Sequence, residues 1–176
     1  MALDAPVDPV AALAALGDRP WPALVRHGGR TVVAADPDAT AIGPAAWEAL
    51  AAPGGPRDPA TAMAGGWIGL LAYDLAGTVE RLPEPLPDPG GPPAAALARY
   101  PTVAVIDDDG RCTVASTGSR AELDEVASAV AASRPPAPLP RPRRRPVTTS
   151  LPAGDYRAAV QAAPKQSRAR DCCQLN

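Results

Sequence analysis

Proline sets the first limit on what this chain can fold into. It has 24 prolines in 176 residues, and each lacks an N–H donor and holds φ near one value. No long helix or wide sheet can run through such a sequence unless the prolines are gathered between elements. Many are: PEPLPDPGGPP (83–93) and RPPAPLPRPRRRP (134–146) are loop-forming stretches with little capacity for ladder hydrogen bonding. Apolar runs lie between them, so the pattern predicts ordered segments joined by long, stiff loops. Hydrophobic residues make up 46% of the chain, aromatics only 3%, and phenylalanine is absent. The core must therefore come from Ala, Val, Leu and Ile, in a chain long enough for one domain of ordinary size.

The remaining bulk properties exclude several classes. A formal net charge of −2 gives no reason to expect nucleic acid or an anionic membrane as a partner. No apolar run is long enough for a membrane span, and the acidic first residues do not resemble a secretion signal. Cys112, Cys172 and Cys173 do not form a disulfide framework, which suits a reducing cytoplasm.

Local patterns then predict the elements. Residues 8–16 form a short helix with Pro9 at its start and Gly17 past its end. PALVRH (22–27) and TVVAAD (31–36) form a hairpin about Gly28-Gly29. PAAWEALAA (44–52) is helical, and 53–62 is loop. The run Trp67–Tyr73 is nearly continuous in apolar residues, as a buried strand would be, and Asp74 is placed to cap a short helix containing Leu75 and Val79. YPTVAVID (100–107) and RCTVAST (111–117) form a second hairpin about an Asp-rich turn ending in Gly110. Ser119 caps a helix with Leu123, Val126 and Val130 at helical spacing. A further helix opens in SLPAGDYRAAVQAA (150–163), and Pro164 should interrupt it. A domain boundary is expected near residue 140, with a lobe at 1–133, a Pro/Arg-rich linker at 134–150 and a new unit from 151.

Four segments, in order, resemble the chorismate-utilising enzymes: RPWPALVRHGG (19–29) with the following VVAADP; GGWIGLLAYDLAGTVERLP (65–83); LARYPTVAVIDDDG (97–110); and SLPAGDYRAAVQAA with DCCQLN (171–176). The second segment is the most specific. Pro-Trp at the first strand and Tyr-Asp-Leu before the short helix look most like the large component of the aminodeoxychorismate synthases, with anthranilate synthase as the alternative. The resemblance implies an α/β (α+β) fold, a mostly antiparallel sheet with outer helices, corresponding to the amino-terminal lobe of that family's two-sheet sandwich. It implies amination of chorismate with ammonia supplied by a glutamine amidotransferase partner, in the folate (para-aminobenzoate) pathway, with Mg²⁺ as the full-length family's metal. It also implies that residues 151–176 only open the catalytic half, so that this stretch carries no catalytic residue and one sheet face is left uncovered.

The departures from the family fall near the end. Pro164, Ser167, Arg170 and Cys173 each stand where relatives have a different kind of residue. Lys165, the only lysine, receives no role. Asp107, Asp108 and Asp109 sit beside a glycine and are expected to form a solvated turn rather than a metal site. Gly65-Gly66-x-x-Gly69 lacks dinucleotide-site spacing and is expected to mark close backbone packing. Arg141–Arg145 is expected to keep the linker in water. His27, the only histidine, is first a strand-end surface residue. The resemblance adds a second role, because relatives bind tryptophan in a pocket walled by this hairpin, here Val25, Arg26, His27, Gly28, Gly29, Arg30 and Thr31, with His27 where they have serine. A non-catalytic ligand-sensing or interaction lobe is the other function the sequence allows.

Overall fold

The computed structural model describes residues 1–51, 63–78, 80–81, 91–138 and 149–168. The chain divides into two compact units, Met1–Ala137 and Pro138–Asn176.

The first unit begins with α1, Pro9–Ala15. The Asp8 carboxylate caps it by accepting from the Ala11 N–H at 2.8 Å. Then β1 (Ala23–His27) and β2 (Arg30–Ala34) pair through a two-residue turn in which both Gly28 and Gly29 have positive φ, 57° and 80°. Mirror-image turns of this kind match the twist of the strands they join, and glycine adopts them without steric cost. A short strand β3 (Ala39–Ile42) and the helix α2 (Ala45–Ala51) follow. Next come β4 (Gly66–Leu71), a 3₁₀ segment (Tyr73–Thr78), β5 (Ala95–Tyr100), β6 (Thr102–Asp107), β7 (Cys112–Ser116) and α3 (Arg120–Ala131).

Every pairing is antiparallel. One sheet runs β1-β2-β6-β7 and the other β3-β5-β4. The fold is thus mixed α/β with two antiparallel sheets and four α-helices among the described residues. Side-chain alternation along each strand sorts the core into three parts. On one face of the four-stranded sheet, Val33, Ala104, Ile106, Cys112 and Val114 pack with Leu16 of the α1 end and Val126 and Val130 of α3. Its other face, through Val32, Ala34, Val103 and Ala115, meets Ala98 and Tyr100 of the second sheet. The far face of that second sheet packs Leu97, Ala95 and Ala41 against Ala46 and Leu75. Small side chains let the layers close without phenylalanine.

The α3 helix carries a complete capping box. The Ser119 hydroxyl accepts from the Glu122 N–H, and the Glu122 carboxylate accepts from the Ser119 N–H at 2.7 Å. Ser119→Ala is expected to lower unfolding free energy by about 1 kcal/mol, measured by urea denaturation. Combining it with Glu122→Ala should add little, because the two groups serve one motif.

Four expectations need correction or extension. Residues 67–73 are not a strand buried on both faces. β4 ends at Leu71 and is hydrogen-bonded to β5 alone among the described strands. Its second half is exposed, and Tyr73 is 93% exposed. The apolar run reports what the strand could bury: the whole of β4 pairs with β5, but only its first half is partly buried. The stretch around Arg99-Tyr100-Pro101-Thr102 is two strands in different sheets, with Pro101 at the corner. β3 was not foreseen at all. Finally, α4 (Ala153–Arg168) continues through Pro164. Its surface is largely exposed, so the Val160 carbonyl that loses its helical donor can turn to water, which reduces the cost of the break. The loop at 53–62, Val79, nearly all of the 83–93 loop, most of the linker, and Arg170, Cys172 and Cys173 lie outside the described residues, as does the side chain of Asp74.

Candidate functional site

The two sheets meet closely at the Pro101 corner and lose cover away from it. Cross-strand register makes this legible row by row. In the four-stranded sheet, Ala23, Ala34, Val103 and Ala115 form the row nearest the corner. Val25, Val32 and Val105 form the next row, and His27, Arg30 and Asp107 the last. Directly paired residues share a face, so all three rows lie on the side that meets the second sheet. On that second sheet the matching face carries Tyr100, then Ile68 and Ala98, then Ile42, Leu70 and Ala96. Burial falls along the series: Ala98 is 1% exposed, whereas Leu70 is 43% and Ile42 is 54% exposed. Val25 is likewise exposed.

The sandwich therefore opens at one end. Its walls there are aliphatic, and its rim is charged. Arg30 Nε lies 3.1 Å from Asp107 Oδ1, joining two rim residues from adjacent strands. The neighbouring turns add Arg26 Nη2 to Asp108 Oδ1 at 2.7 Å and Arg111 Nε to Asp109 Oδ2 at 2.9 Å. Asp109 also accepts from the Arg111 N–H, and this hydrogen bond, with the guanidinium's charge, holds its carboxyl below the usual carboxylate range. The three consecutive aspartates thus each face a different arginine. Among the described residues there is no group of three His, Cys, Asp or Glu placed to hold a metal ion.

The hairpin residues singled out in the sequence divide at this rim. His27 and Arg30 are exposed, on the inner face. Gly28 and Gly29 form the exposed turn, and a Cβ on Gly29 would stand 3.2 Å from Asp108 Oδ2. Thr31 is buried on the opposite face, the one that meets α1 and α3. The turn itself contributes no wall. The apolar surface at this end comes from Val25, already expected as part of the hairpin wall, and from Val105, Ile68, Leu70 and Ile42, which were not expected to form a site. Alternation along β1 ties Val25 to His27; the facing sheet could not have been found that way.

Two further recesses lie in the first unit. One of about 480 Å³ runs between the first eight residues and the end of α3. The other, about 60 Å³, is bounded by Arg19, Asp36, Thr102 and Glu125. There Arg19 bridges Asp36 at 2.8 Å and Glu125 at 2.7 Å, which ties the loop before β1 to α3. Trp21 and Asp36 both have positive φ, 51° and 55°. They are held by the Tyr100 hydroxyl donating to the Trp21 carbonyl and the Asp36 N–H donating to the Pro20 carbonyl. The Cys112 thiol is buried and pushed up to about 11 by desolvation, so it stays protonated and unreactive at neutral pH. Lys165 is exposed on α4, and Gly69 lies so close to β5 that a Cβ there would meet the backbone of Ala96 and Leu97. No helix among the described residues is long and apolar enough to cross a membrane. No family model matches the chain, and no curated protein matches it.

Proposed function

We propose that this chain is the amino-terminal lobe of a chorismate-aminating enzyme of the aminodeoxychorismate synthase type, and that its open sandwich end binds an aromatic amino acid such as tryptophan. The supporting observation is the pairing of exposed aliphatic surface with a rim of opposite charges. Beyond the packed Val32, Val105 and Ile68, the exposed Val25 on one sheet and Leu70 and Ile42 on the other offer apolar surface to a flat ring. Arg30 can meet a carboxylate, and Asp107 an ammonium group. Among the described residues, the segments that resemble the family cover the β1–β2 hairpin, β4 with its 3₁₀ segment, the β5–β6 corner and the first part of α4; 171–176 lie outside them.

In this reading the chemistry belongs to the full-length enzyme, with its amidotransferase partner and a chorismate site. The described residues do not fit Mg²⁺, since the nearest carboxylate cluster is already matched by three arginines. What these residues do is bind, and hold two opposite charges at the rim.

Binding is tested by calorimetric titration with L-tryptophan. Saturable heat is expected, and Arg30→Ala should weaken binding about tenfold or more, since a charge-assisted hydrogen bond is lost. No heat at millimolar ligand would remove the binding site. The enzyme reading is tested separately, by joining the chain to the coding sequence that follows codon 176 in each frame and assaying chorismate, ammonia and Mg²⁺. Formation of 4-amino-4-deoxychorismate is expected. Anthranilate would move the chain to the tryptophan branch, and no product in any frame would leave only a non-catalytic ligand-sensing lobe.

A further inference from the structure

The amino-terminal segment walls a recess that lies away from the open end of the sandwich. Its backbone is held along β7: the Leu3 N–H donates to the Cys112 carbonyl at 2.9 Å, and the Val114 N–H to the Met1 carbonyl at 2.8 Å. The Val7 N–H donates to the Gly110 carbonyl at 2.9 Å, and the Val7 side chain joins the core that contains Val126 and Val130. The start of α1 and the end of α3 supply the remaining walls. The volume, about 480 Å³, falls in the range of small-molecule sites.

The apolar lining is Leu3, Val7, Ala11, Val130 and Pro135. The charged lining leans one way. Asp4 and Asp8 belong to it, and no Lys, Arg or His side chain does. Asp8 uses one oxygen to cap α1, whereas the Asp4 carboxylate has no hydrogen-bond or ion-pair partner among the described residues. The positive group of the lining, the Met1 ammonium, is already engaged by the Val114 carbonyl at 2.6 Å. α3 adds to the imbalance. It ends at the recess through Val130 and Ala131, and its last turn holds no basic residue. The final carbonyls of a helix carry about half a negative charge. Arg134 follows the cap but is not part of the lining.

We infer that this recess binds a small molecule that joins a protonated amine to an apolar body. Charge complementarity selects the amine. The lining supplies two carboxylates and the negative end of a helix but no basic side chain, so the cation comes from the ligand. An ammonium group has three donors, which suits a carboxylate and helix carbonyls together. An anionic ligand would meet like charge, and a neutral apolar one would cover Asp4 without pairing it. The site is separate from the open sandwich end, and its occupancy does not depend on what binds there.

Nuclear magnetic resonance of the nitrogen-labelled full chain, titrated with phenethylamine at neutral pH, tests this. Saturable shifts of the Leu3, Asp4, Ala131 and Ser133 amides are expected, with half-saturation at about a millimolar or below. Hydrocinnamate, which carries a carboxylate on a similar apolar body, should not produce them. Asp4→Asn should weaken binding about fivefold, while Asp18→Asn, outside the lining, should leave it unchanged. Ala131→Lys places a cation in the last turn of α3; it should abolish binding without lowering the thermal midpoint. The inference is overturned by equal binding of hydrocinnamate, by an Asp4→Asn variant that binds like the parent, or by shifts confined to Val25 and Leu70 at the sandwich end. Absence of any shift at about ten millimolar amine overturns it too.

Discussion

Replacing Gly69 with alanine is expected to destabilise the chain by about 3 kcal/mol or more, a large part of the stability of an ordinary domain. At this position β4 lies so close to β5 that a Cβ would stand 2.8 Å from Leu97 Cα and collide with the Ala96 carbonyl. Those are backbone atoms of the central strand of the sheet, and they cannot rotate aside as a flexible side chain can. Leu97 and Ala98, on either face of β5, belong to two different core clusters, so moving β5 disturbs both. Gly77→Ala is the control, since a Cβ there meets nothing within 4 Å; its effect should stay within about 0.5 kcal/mol. Urea denaturation of the two variants decides the matter. Equal midpoints would mean that the strands do not approach as described.

Tyr100 carries the second large effect. It is the largest fully buried side chain, at the corner where the two sheets meet, and its hydroxyl donates to the Trp21 carbonyl at 2.7 Å. Tyr100→Ala should cost about 3–5 kcal/mol through the cavity it leaves. Tyr100→Phe keeps the ring and should cost about 1 kcal/mol through the lost hydrogen bond. It should also release the Trp21 loop, visible as a change in tryptophan fluorescence, because that bond helps hold Trp21 at positive φ.

The same residue gives a pH signature. Burial raises the Tyr100 pKa above the ordinary phenol value. Above that ordinary value the unfolded chain gives up the proton while the folded chain keeps it. The contribution of Tyr100 is therefore complete below the ordinary phenol pKa and is lost as pH rises through the folded value. Tyr100→Phe should flatten this part of the alkaline stability profile. An unchanged profile would assign the alkaline loss to other groups.

Much of the fold was legible in short stretches of sequence. Asp8-Pro9 and Ser119 with Glu122 announce helix starts because their chemistry acts within a single turn. Gly28-Gly29 announces a hairpin because only glycine takes two successive positive φ values at no cost. The alternation of Val103, Val105 and Asp107 against Ala104 and Ile106 announces a strand with two different faces. β3 escaped because Ala-Thr-Ala-Ile is too short and too mixed to carry a pattern. The β5–β6 division escaped because Pro101 lies inside a run that is β-like on both sides, and sequence periodicity does not say which sheet a strand joins.

The candidate site was only half legible. His27 and Arg30 were marked through resemblance, and register confirms that they share a face. Their apolar counterpart, Ile68, Leu70 and Ile42, comes from strands 15 to more than 40 residues along the chain, and no local rule links those strands to β1. What the sequence determined by itself was the set of elements, their caps and turns, and the small-residue character of the core, because these depend on neighbours within a few bonds. Tertiary structure alone decided which strand became central and which became edge, how close β4 could come to β5 at Gly69, and at which end the sandwich stays open. Those outcomes depend on pairing between distant segments, where the free energy lies in shared surfaces rather than in any one stretch of chain.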